Sequence, residues 1–234
     1  MNRLEENQYQ AAITMPTRKA GLIGKSAVIG ASVGLIASVY RFVLMKAETF
    51  SFAVYDYIRS NPVLIPLLFL ALCALGYGVG YLASKYKYIG GSGIPQVKGI
   101  IMGHFEVPWL STLIAKFVGG AASILAGLSL GREGPSIQIG SCVAEGIGNR
   151  LASSRTEKRM LIAGGASAGL AAAFNAPLAG AMFAVEEIFK YFSPVILLVT
   201  MVCAVLGDFV SKMVFGVNTV FSVHTPVGIP LKSY

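Results

Sequence analysis

Long apolar blocks, cut at intervals by glycine and proline, constrain this chain more than any other feature. Pro62 to Ser84 and Met160 to Val185 hold no charged residue at all. Gly21 to Met45 is interrupted only by Lys25 and Arg41, and Pro194 to Phe215 contains Asp208. A helix needs about 20 mostly apolar residues to cross a bilayer, so these blocks predict membrane spans. Composition agrees: 13% of the 234 residues are charged and 55% are apolar, against roughly 25% charged in soluble domains. There is too little polar sequence to cover a soluble fold, and a lipid-facing surface removes that need.

The formal charge of +8 comes from 19 basic and 11 acidic residues. The basic residues sit between the apolar blocks, where Lys and Arg mark loops retained on the cytoplasmic side. No basic stripe is interleaved with aromatics, which excludes a nucleic-acid platform. Residues 1–20, with Arg3, Glu5, Glu6, Arg18 and Lys19, form a polar tail without an apolar signal core, expected in the cytoplasm. Lys46, Glu48, Asp56 and Arg59 read as a connector after the first span. Lys85, Lys87 and Lys98 bring the chain back to the side of its N-terminus, and Arg150, Arg155, Lys158 and Arg159 read as a further cytoplasmic loop. Cys73, Cys142 and Cys203 are too far apart for a zinc or disulfide framework and are expected to be buried small hydrophobes. His104 and His224 read as loop residues, and no metal site is expected.

Beyond Lys85 the spans become short or broken. Ile89 to Gly103 is too short to cross; Pro108 to Leu130 carries Lys116; Gly134 to Arg150 is weakly apolar. Asn175-Ala176-Pro177 should cut Met160–Val185 into two half-length helices. A helix end at membrane depth must be satisfied by protein or by a polar cavity, so broken helices point to an interior site. Gly119, Gly120, Gly127, Gly164, Gly165 and Gly169 should let neighbouring helices approach closely.

Gly131-Arg132-Glu133-Gly134-Pro135 is the strongest local signal. An apolar block ends, a carboxylate appears, and Gly-Pro opens a helix whose free N–H groups and partial positive charge suit an anion. Glu133 would be the protein's own anion there, in competition with a soluble one. The alternatives are an Arg–Glu pair that only neutralises itself and an ordinary capping carboxylate. Gly91-Ser92-Gly93-Ile94-Pro95 repeats the device, with a hydroxyl able to donate to an anion or simply to cap a helix. Two apparent motifs fail. Gly24-Lys25-Ser26 lacks the P-loop's earlier glycine, and Gly165-Ala166-Ser167-Ala168-Gly169 lies in an apolar helix rather than after a hydrolase strand, whatever the positions of Asp208 and His224.

Those two stretches, with Phe174-Asn175-Ala176-Pro177-Leu178-Ala179-Gly180 after them, resemble the CLC family of chloride channels and proton-coupled chloride exchangers from about Gly21 onward. The resemblance implies an all-α integral membrane protein of tilted and broken transmembrane helices: the first half of an inverted-repeat fold. Residues 21–216 would form the first repeat and 217–234, with Pro226 and Pro230, a connector toward a second. It implies that Ser92, with Gly91, Gly93 and Ile94, binds chloride on the inner side, and that backbone N–H groups around Arg132, Glu133 and Gly134 hold an anion further out. Glu133 would be the gate, closing the site when ionised and swinging aside when protonated. Lys116 would make the pathway electropositive. Glu187 would pass protons to Glu133, with Glu186 in support. The acid at Glu187 implies a proton-coupled exchanger, against the alternative of a voltage- or pH-gated channel, and Ser92 implies chloride rather than fluoride. The family's second repeat, with its Gly-x-Phe-x-Pro motif and pathway tyrosine, is not in this sequence, so a complete pathway would need a C-terminal half. A non-transporting half that assembles with or regulates other subunits is the reading from another class. The family further implies a multi-pass protein of the plasma membrane, a homodimer joined through residues 177–191 and 194–215, no cofactor beyond chloride as substrate, and no enzymatic activity.

Overall fold

The computed structural model describes residues 16–216. Expectations for the tail before Pro16, for His224 and for the connector 217–234 lie outside the described residues. Among the described residues the regular structure is helical throughout: α1 Pro16–Ser60, a 3-10 turn Pro62–Leu64, α2 Ile65–Lys85, α3 Ile94–Met102, α4 Trp109–Leu125, α5 Glu133–Leu151, α6 Arg155–Phe174, α7 Pro177–Phe183, a π-helical turn Ala184–Phe189 and α8 Pro194–Phe215.

Three of the expected boundaries move. The connector holding Lys46, Glu48, Asp56 and Arg59 is not a loop, because α1 runs unbroken to Ser60. No glycine or proline stands between Lys46 and Ser60, and the first breaker is Asn61-Pro62. At 45 residues α1 is about 67 Å long, roughly twice the hydrocarbon thickness. The basic loop ends early too: Arg155, Lys158 and Arg159 already belong to α6, whose first turn is capped where Ser154 Oγ accepts from the Glu157 N–H at 3.1 Å. That added turn makes α6 a full 20-residue helix rather than a half. The break after it falls where expected. Asn175 adopts a left-handed conformation (φ 55°), which asparagine tolerates, and Pro177 restarts the chain. The helix expected over 177–191 instead widens partway, ending α7 at Phe183 and passing into the π turn, which Lys190 closes with φ 59°.

The core is α6 surrounded by α1, α5, α7 and α8. Every α6 residue from Met160 to Ala173 is buried, and most are Gly, Ala or Ser. Small residues let backbones touch, the main source of helix association where lipid is as apolar as leucine. Gly140 of α5 and Gly165 of α6 lie against each other's carbonyls, and Gly30 and Gly34 of α1 rest on the carbonyls of Cys203 and Gly207 in α8. Any side chain there would drive the helices apart. Gly119, by contrast, meets Leu82 only at ordinary contact distance.

Helix α2 differs in kind. None of its residues is buried, and it touches the rest through α4 and the 3-10 turn. Cys73 on this helix is therefore exposed, contrary to the expectation for all three cysteines, while Cys142 and Cys203 are buried. Among the described residues, three helical stretches, Lys19–Ser60, Pro62–Lys85 and Pro194–Phe215, are long and apolar enough to cross a membrane.

Candidate anion site

The site begins at the start of α3. Gly91 (φ 69°) and Gly93 (φ 91°) both occupy the left-handed region, and a Cβ on Gly93 would also strike the Gln138 side chain. The loop they form is held from behind. Lys116, buried on α4, donates from Nζ to the carbonyls of Ile89 at 2.8 Å and Gly91 at 2.7 Å. Gln138 of α5 donates to the Tyr88 carbonyl at 2.6 Å, and Gln96 to that of Gly90 at 2.8 Å. With its carbonyls engaged, the loop turns outward Ser92, which is exposed. Its Oγ accepts only a long contact from the Ile94 N–H, 3.4 Å, leaving the hydroxyl proton available to a ligand.

The start of α5 comes to meet it. No side chain caps the first turn of α5, so the N–H groups of Glu133 and Gly134 have no intrahelical or capping acceptor. Pro135 has no N–H to offer, and Ser136 Oγ donates back to the Arg132 carbonyl at 2.7 Å. Gly134 packs directly on the Ser92 carbonyl, where a Cβ could not fit. The two glycine-rich helix starts, 42 positions apart by their serine and glycine numbers (134 − 92), are thus in backbone contact.

A cavity of about 500 Å³ opens at this junction, lined among others by Gly91, Ser92, Lys116, Gly131, Glu133 and Gly134. Glu133 is half-buried, and its carboxylate folds back over Gly131. Arg132 does not pair with it. The arginine instead lines a neighbouring cavity of about 360 Å³ with Glu48 and Tyr55 of α1. The arrangement therefore differs from a self-neutralising Arg–Glu pair. It leaves a carboxylate with no cation paired to it in a cavity shared with two helix N-termini and Lys116, surroundings suited to an anion.

The other acids lie elsewhere. Glu186 and Glu187 sit on the π turn, both exposed, and neither lines the Glu133 cavity. Glu187 forms an ion pair with Lys98 of α3 at 3.6 Å. Asn175, in the third motif, accepts from the Arg41 guanidinium at 3.3 Å, and that guanidinium lies 4.5 Å from the Phe215 ring centroid. Sequence reasoning missed Gln138 and Lys98. Gln138 is signalled by its polarity five places into the weakly apolar run after Glu133; Lys98 reads in the sequence only as a topological charge.

The known proteins most informative for this arrangement point one way. The family model described as voltage gated chloride channel matches residues 75–234. The H(+)/Cl(-) exchange transporter ClcA of Citrobacter koseri is 39% identical over 173 residues, covering 71% of this chain and 36% of that protein. Among solved structures, a slow cyanobacterial Cl-/H+ antiporter superposes with a TM-score of 0.78 at 28% identity, over 91% of this chain and 51% of that one. A CLC-type fluoride/proton antiporter gives 0.70 at 27% identity, over 93% and 52%. The chain thus spans about half the length of these solved relatives, and about a third of the curated one. With its family model matched over most of its length and its all-helical fold shared with solved members, this chain belongs to the CLC, or voltage gated chloride channel, family of integral membrane proteins.

Proposed function

We propose that this chain supplies the first half of a proton-coupled chloride exchanger of the plasma membrane, with its N-terminus in the cytoplasm and residues 21–216 as the first repeat. The observation that carries the reading is the junction of the two helix starts. Ser92 and Gly134 are in contact, Glu133 lines the cavity beside them, and no cation is paired with its carboxylate among the described residues. Chloride binds to the Ser92 hydroxyl and to free N–H groups at the starts of α3 and α5. An ionised Glu133 occupies the outer part of that site in place of chloride. Protonation discharges it, and its side chain leaves while chloride enters. Glu187, exposed on the π turn, takes the proton from the inner solution, with Glu186 beside it. Lys116 contributes charge from behind the loop, through the carbonyls it grips.

A second repeat closes the pathway, and two such subunits pair through the α7–π-turn segment and α8. The direct test places the complete transporter in liposomes. A chloride gradient should drive uphill proton movement, and Glu187→Gln should remove the proton flux while chloride continues to pass. Chloride flux without proton movement in the parent protein would leave an uncoupled channel. Absence of both fluxes would leave a half that assembles with other subunits without transporting.

A further inference from the structure

We propose that Lys98 is the positioning residue of the inner proton acceptor, holding Glu187 against the same short helix whose first turn presents Ser92 to the anion. The inference rests on the reading of Glu187 given above. Its observation is the ion pair from Lys98 Nζ to Glu187 Oε1, 3.6 Å, which joins α3 to the π turn.

Helix α3 is short, nine residues, and its start is fixed by Lys116 and Gln138. Lys98 lies four residues after Ile94, about 6 Å along the axis. The ammonium that attracts Glu187 is therefore carried on the element that also offers its N-terminal end to chloride. The π turn gives the carboxylate its direction. Ala184, Val185 and Ile188 are buried, while Glu186 and Glu187 are turned outward. The α6 face against it is apolar, with Ile162, Ala163, Ala166 and Leu170 in one cluster with Ala184 and Ile188. The first turn of α8 brings Val195 and Ile196 and no charge. On its own segment Glu187 has Glu186 and Lys190 as charged neighbours, and Arg159 approaches the far end of α3 at Gly103. Among the described residues, Lys98 reaches the Glu187 carboxylate from another element as an ion-pair partner. Half-exposed acids otherwise sample many rotamers, and an ion pair to a fixed helix restricts that sampling. Lys98 holds the carboxylate near the anion-bearing helix, so the inner acceptor and the inner anion site move as one unit.

The experiment measures chloride and proton fluxes separately for the complete transporter in liposomes. Lys98→Met keeps the apolar stem and removes the charge; Lys98→Arg keeps the charge. We expect Lys98→Met to lower the proton-to-chloride flux ratio about threefold, a size set by half-exposed ion pairs, with chloride flux near the parent value. Lys98→Arg should restore the ratio. In the Glu187→Gln background Lys98→Met should change nothing further, since the two residues act through one contact. A parent-like ratio in Lys98→Met, alongside loss of proton flux in Glu187→Gln, overturns the positioning role and leaves the exchanger reading intact. Coupling that survives Glu187→Gln overturns the exchanger route through Glu187, and this inference with it. Equal loss of both fluxes in Lys98→Met, unrescued by arginine, also overturns it, by making the residue a general structural one.

Discussion

Helices α2 and α6 have nearly the same length, 21 and 20 residues, and opposite surroundings. The first is rich in leucine and has no buried residue; the second is built from alanine, glycine and serine and is buried along fourteen consecutive positions, Met160 to Ala173. In water the more apolar helix would be inside. In a bilayer the solvent is itself apolar, so large hydrophobes lose nothing by facing out, and the interior goes to residues small enough to let backbones meet. Helix centrality in this fold is therefore read from side-chain size rather than from hydropathy.

The largest effect should come from adding volume to the small-residue contact. Gly165→Leu sets a side chain against Gly140 and Ala144 of α5, where even a Cβ has no room. It should cost about 3 kcal/mol or more, or prevent assembly altogether. Detergent-resistant folding, followed by unfolding in mixed micelles, measures it. A cost under about 1 kcal/mol would mean that α5 and α6 are not in backbone contact, and the contrast with α2 would collapse.

The same contrast explains what was legible in the sequence. The blocks Pro62–Ser84 and Pro194–Phe215 are legible nearly to the residue, because long uninterrupted apolar runs advertise themselves by hydropathy whether they face lipid or, like α8, are half buried. The helices of the candidate site, α3 and α5, are legible through Gly and Pro at their starts, since only glycine serves the left-handed turns at 91 and 93. Continuation of α1 beyond Met45 was not legible. Charges at Lys46, Glu48, Asp56 and Arg59 look like a loop to a hydropathy argument, although a helix tolerates all four. The π turn after Phe183 left no signal, because its residues suit an ordinary helix equally well. The Lys98–Glu187 pair was hidden for another reason: its members are 89 positions apart (187 − 98), and only the fold brings them together.

Between the two extremes stands α4, which touches α2 on one side and α5 on the other. Its Lys116 sharpens the comparison, because a buried ammonium answers to carbonyls rather than to lipid or methyl groups. Lys116→Met would leave the carbonyls of Ile89 and Gly91 without their donor. It should destabilise the protein by about 2 kcal/mol and weaken chloride binding, as measured by calorimetric titration of the complete transporter. Unchanged chloride affinity together with unchanged stability would show that the loop keeps its shape without that grip.

A smaller asymmetry should appear where α5 meets the start of α6. Glu145 is buried, and its Oε1 takes a bond from the more exposed Lys158 at 3.2 Å, while Oε2 has no partner. Removing the lysine strands a buried carboxylate; removing the acid strands only a cation that water can reach. Lys158→Ala should cost about 1.5 kcal/mol and Glu145→Gln clearly less, with mixed-micelle unfolding as the measure. The reverse order would place the carboxylate in water and argue against the packing of this corner.

The smallest effect belongs to α2. Phe69 and Leu70 are 68% and 67% exposed, and in lipid their truncation replaces side chain by acyl chain, with no cavity left behind. Phe69→Ala and Leu70→Ala should each change stability by no more than about 0.5 kcal/mol in the complete transporter. These two substitutions also test what covers α2. A second repeat seated on this face would turn the same residues into core positions, and truncation would then cost about 3 kcal/mol through the cavity it creates. A near-zero result thus assigns α2 to the lipid boundary, and a large one assigns it to the seam between the halves.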